Sequence, residues 1–107
     1  LINNRTFLEA AAGILAVEAY HAGIVRTVLY AKGIATPSLR TAADNISNAR
    51  DSLDGPSDLD QGISPTATGP GGALVSNIVP TDANGIAFSR STGQVLNIVY
   101  LRNTVGT

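Results

Sequence analysis

The chain of 107 residues contains no cysteine. That excludes disulfides, thiolate catalysis and Cys-ligated zinc or iron–sulfur sites, and it leaves the compartment open. Charge is scarce too: 14% of residues are Asp, Glu, Lys or Arg, against about a quarter in soluble domains. With hydrophobic residues at 44%, much of the surface is expected to face other protein rather than water. There is one lysine, Lys32, no Lys/Arg cluster and a net charge of −1, so neither nucleic acid nor an anionic membrane is an expected partner. The first residue is Leu1, with no basic region ahead of an apolar stretch. A targeting peptide is therefore expected to be absent or already removed, and the chain to be a fragment or processed product. Its length suits one small domain.

What is present begins with a long helical run. Thr6-Phe7-Leu8-Glu9 reads as a capping box, good helix formers continue to about Ala31, and Lys32-Gly33 suits a helix end. A core helix is thus expected within residues 1–33. A second helix is expected within 34–55. Thr36 is its N-cap and Pro37 its first residue, and Leu39, Ala43, Ile46, Ala49 and Leu53 recur at helical spacing. Asp54-Gly55-Pro56 stops it.

Residues 56–90 are rich in Pro, Gly, Ser, Thr and Asp and predict an extended arm with little regular structure. Leu74-Val75 and Ile78-Val79 are its expected anchors. Ser91 or Thr92 then caps a short terminal helix, which leads into a tail within 91–107. Glu9, Glu18, His21 and Arg26 are too many ionisable groups for the first helix to read as a membrane span.

The chemistry is expected on that first helix. On a wheel with Glu18 at zero, Phe7 falls at about −20°, Ile14 at about −40°, Val25 at about −20° and His21 at about −60°. Glu18 and His21 therefore lie within an apolar stripe. A carboxylate and an imidazole three residues apart reach one ion, and Glu-x-x-His on bundle helices builds di-iron and di-manganese sites. Two other readings stand beside metal binding. The pair could bond to each other or to an Arg of another helix and fill the core, or it could act in catalysis without metal.

The run from Ala10 to Tyr30, AAAGILAVEAYHAGIVRTVLY, resembles the last core helix of the ferritin-like, desiccation-related protein family. Asn45–Gly55, Asn77–Gly85 and Val95–Tyr100 resemble that family as well. The resemblance implies an all-α fold: the C-terminal part of a ferritin-like four-helix bundle, with the tail packed on the bundle. It implies that Glu18 and His21 are fourth-helix metal ligands for iron, manganese or zinc. It also implies periplasmic or extracellular export. Members of the plant branch replace the His of this motif, whereas this sequence keeps both residues.

The implied partners are an N-terminal half of the same protein or other chains of an assembly, with no nucleic acid and no transmembrane segment. Three functions compete: a metal-binding protein that stores metal or handles oxidants, a non-catalytic stress-protection protein, and an interaction subunit that docks its apolar helix on a partner chain.

Weaker candidates complete the reading. Asp51, Asp54, Asp58 and Asp60 crowd one turn but lack EF-hand spacing, and solvated turn caps are the plainer expectation. Asn4-Arg5-Thr6 and Asn45-Ile46-Ser47 match the glycosylation sequon. Arg26 is expected to pair with a carboxylate of another helix or to reach solvent.

Overall fold

In a computed structural model, residues 2–102 are described. Helix α1 runs from Arg5 to Ala35 and α2 from Pro37 to Asp51. A two-stranded antiparallel hairpin follows, β1 at Ala67–Thr68 and β2 at Leu74–Val75, and α3 spans Thr92–Val99. The fold is mostly helical, and the molecule measures 48 × 33 × 25 Å. Of the expected terminal region, residues 103–107 lie outside the described residues.

Helix α1 starts earlier than its Thr6–Glu9 signature suggested. Asn4 is the cap: its Oδ1 accepts from the Thr6 and Phe7 amides at 2.9 and 3.3 Å. A side-chain amide two residues upstream satisfies the orphan donors of the first turn, so Thr6 joins that turn. The far end also differs. Gly33 does not terminate α1 but is buried inside it. A Cβ there would lie 2.2 Å from Arg40 Cγ, so glycine is needed to let α2 approach. Arg40 continues over the Tyr30 ring, 5.4 Å from its centroid. The break falls at Thr36, because Pro37 disfavours helical geometry in the residue before it. Thr36 occupies the cap position of α2 but makes no side-chain capping bond.

The arm has little regular structure, as its composition predicts, apart from the small hairpin. Gly71 and Gly72 turn it with φ of 72° and 79°. Its anchoring differs from expectation. Val79 is 72% exposed and Leu74 69%, and Ile78 is half-buried. Among the described residues Ile63 is the one buried hydrophobic side chain. The arm is fixed by polar bonds, described below. Helix α3 is capped as expected: Ser91 Oγ accepts from the Gln94 amide, and Gln94 Oε1 accepts from the Ser91 amide at 2.7 Å.

These contacts leave α1 largely bare. Phe7, Ile14, Leu15, Tyr20, Ile24 and Val25 are all more than half exposed. The helix is long and apolar enough to cross a membrane by length and composition. Glu18 near its midpoint is what such a span tolerates least.

Candidate metal site

Glu18 and His21 sit on consecutive turns near the middle of α1, and both are exposed. Side chains three residues apart on a helix are neighbours, about 5–6 Å between Cβ atoms. Ala10, Gly13, Ile14 and Val17 join them around an open groove of about 570 Å3. Neither side chain is hydrogen-bonded or ion-paired to the other or to any other described residue. An oxygen and a nitrogen donor on one side suit manganese, iron or zinc, so the donor set fits such an ion. It is half a set: among the described residues no group of three or more His, Cys, Asp or Glu side chains converges.

A second set of ionisable residues forms a separate structure around Arg26 of α1 and the arm. The Arg26 guanidinium donates to four backbone carbonyls, those of Ile78 at 2.9 Å, Gln61 at 3.0 Å, Gly62 at 2.7 Å and Asn77 at 2.6 Å. The expectation of a carboxylate partner or open solvent for Arg26 is corrected. An irregular arm has carbonyls that no ladder satisfies, and a planar five-donor group can cap several of them at once. Burial pulls this guanidinium below its ordinary value, with the carboxylates of Asp60 and Asp44 opposing the shift.

Asp44 of α2 holds the same arm from the other side. Its Oδ1 accepts from the Ile63 and Ser64 amides at 2.8 and 3.1 Å, and its Oδ2 accepts from the Ser64 hydroxyl. The Asn77 amide closes the clasp by donating to Gln61 Oε1 and the Gly62 carbonyl.

The aspartate cluster at the end of α2 divides: Asp51 and Asp58 are turn and surface groups as expected, whereas Asp54 and Asp60 are buried in ion pairs. Asp54 is fully buried and bonded to Arg90 at 2.5 Å. Asp60 is 9% exposed and pairs with Arg50 at 2.9 Å and Arg90 at 3.4 Å. Asp51 Oδ1 accepts from the Leu59 and Asp60 amides. Asp58 stays at the surface and accepts from Gln61 Nε2 at 3.2 Å. Two guanidiniums already neutralise the two buried carboxylates, which removes the charge a cation would need. Gln94 of α3 donates to the Asp54 carbonyl at 2.6 Å and ties that helix to the knot. Sequence reasoning missed the roles of Asp44, Arg90, Gln94 and Asn77, because each partner is 15 to 40 residues away.

With this geometry in place, comparison with known proteins picks out one segment. Residues 1–31 match the ferritin-like domain family. The match covers most of the helix that carries Glu18 and His21 and stops before α2. No curated protein and no solved structure matches the chain. The ferritin-like segment is thus the bare apolar helix, while the arm and polar knot lie outside the match.

Proposed function

We propose that the chain is part of a ferritin-like, desiccation- or stress-related protein that binds a divalent metal through Glu18 and His21. The observation that carries this reading is the placement of an oxygen–nitrogen donor pair at the middle of the ferritin-like helix, beside an apolar groove. A bound ion would supply Lewis acidity, or redox chemistry if it is iron or manganese. Glu18 would contribute charge, and His21 a neutral imidazole. The ferritin-like match supports metal storage or oxidant handling as the role, and the resemblance to desiccation-related proteins supports periplasmic or extracellular export.

The half-complete donor set and the bare face of α1 favour a second reading, a non-catalytic structural or interaction subunit.

Elemental analysis of the purified protein separates the two. The wild type should take up manganese, iron or zinc, and acid should release it, because imidazole ligates only when neutral. Glu18→Ala and His21→Ala should each lose the metal with helicity intact, since both side chains are exposed. A wild type that stays metal-free after reconstitution, or mutants that keep full occupancy, would leave the second reading in place.

A further inference from the structure

Asn84 is the one asparagine of the chain that is followed by glycine. In that dipeptide the next backbone nitrogen reaches the side-chain amide carbon with least hindrance, because glycine has no Cβ. The surroundings leave the path open: a Cβ built on Gly85 would meet nothing within 4 Å. What closes it is the turn itself. The Asn84 and Ile86 amides each donate to Asp82 Oδ1 at 2.9 Å. The Gly85 amide donates to the Asp82 carbonyl at 3.0 Å, and the Asp82 amide donates to the Ile86 carbonyl at 2.9 Å. Asp82 takes part in all four bonds. The Gly85 nitrogen, the atom that would attack, is engaged through its proton and held at a φ of 76°.

We propose that Asn84-Gly85 is a latent deamidation site guarded by Asp82, so that opening of this turn leaves a one-way chemical mark on the chain. When the turn opens, the Gly85 nitrogen loses its proton to hydroxide and attacks Asn84 Cγ. The new N–Cγ bond forms, the Cγ–Nδ2 bond breaks, and ammonia leaves with a proton from water, which regenerates hydroxide. A second water then opens the five-membered imide. Opening at the side-chain carbonyl gives an aspartyl residue at position 84. Opening at the main-chain carbonyl gives an isoaspartyl residue, with the backbone routed through Cβ and Cγ.

Both products resist closure of the turn. Each puts a second carboxylate two residues from Asp82, where like charges repel. The isoaspartyl product also lengthens the backbone between Asp82 and Ile86, so their bond no longer fits. Exposed loops open at lower free energy than the rest of a fold, and the mark accumulates with the time spent open. All four guarding bonds are local to residues 82–86, so the guard does not depend on what covers α1.

The test uses the full chain at neutral pH, native and in guanidinium chloride, with products at position 84 followed by peptide mass mapping. Each variant is read as its native rate over its denatured rate, which cancels intrinsic reactivity. The wild type should deamidate about tenfold more slowly when native, since a reaction of the open form tracks its population. Asp82→Ala should bring the ratio close to one, while hydrogen exchange along α1 and at residues 54–60 stays as in the wild type, because Asp82 is exposed. Asn84→Gln should abolish the mark. A wild type that reacts equally fast in both states, an Asp82→Ala chain as protected as the wild type, or loss of protection at residues 54–60 together with the turn would each overturn the proposal.

Discussion

Helix α1 and the segment from Asp44 to Gln94 are held by opposite means. The helix has the apolar side chains and almost nothing to bury them against. The arm region has one buried hydrophobic residue, Ile63, and a set of charge-assisted bonds. A single chain normally draws its stability from burial of the first kind. Here the apolar area faces outward, and the local order of the arm comes from guanidiniums and carboxylates that satisfy backbone groups. Substitution should therefore damage the knot within the chain and damage the helix face only in association.

The largest expected effect is at Arg90. Arg90→Ala leaves Asp54 fully buried without its cation, and breaking a buried pair from one side costs about 3–5 kcal/mol. Denaturant titration should show the loss, and hydrogen exchange should place it at residues 54–60 and along α3. Replacing Asp54 as well, by a residue of similar volume such as Leu, should recover much of it. A loss below about 1 kcal/mol would mean that the pair is exposed to water in solution.

Next comes Arg26→Ala. Hydrogen bonds to a charged group contribute roughly 1.5–3 kcal/mol each, but water can reach part of the vacated site, so the net cost should be roughly 3 kcal/mol. Limited proteolysis should open residues 61–79 while the helicity of α1 is unchanged. Arg26→Lys should recover only part, because an ammonium cannot span four carbonyls. Equal protection of the arm in Arg26→Ala would show that the Asp44 and Asn77 bonds hold it without the guanidinium.

A change on the exposed face of α1 should do the reverse. Ile14→Ser alters an exposed site, so chain stability should move by no more than about 0.5 kcal/mol. A large loss of stability, read by denaturant titration, would mean that this face is covered by the chain itself, and the contrast between the two regions would collapse.

Sequence alone revealed the helices, because periodicity and Pro37 are local signals. It also placed Glu18 and His21 together, since three residues of helix determine their proximity. The ends of α1 were misjudged where two local signals compete: Asn4 against Thr6 at the start, and Gly33 as terminator against Gly33 as a packing gap for Arg40. The arm was read correctly as irregular but anchored in the wrong place. Apolar pairs such as Ile78-Val79 were expected to hold it, whereas Arg26 and Asp44 hold it through bonds that join distant parts of the chain. The aspartate cluster was visible as composition only. Its partner Arg90 lies 36 residues from Asp54, and no local pattern announces that pairing.

The smallest expected effect concerns the turn at Asp82, which needs neither the face of α1 nor the knot. Asp82 Oδ1 accepts from the Asn84 and Ile86 amides, each at 2.9 Å, and Gly85 takes a φ of 76° to close the loop. These bonds, from Ile86 first and then Asn84, favour the carboxylate and hold its pKa below the usual 3.8. A depressed carboxylate stabilises the turn above its unfolded value and loses that contribution as pH falls through the lower, folded one. The Asn84 and Ile86 amide resonances should therefore titrate together with a midpoint under 3.8, while resonances along α1 stay still. A midpoint at or above 3.8 would show that the turn is not formed in solution. Asp82→Asn should remove the titration yet keep part of the turn, since an amide oxygen still accepts both bonds but without charge.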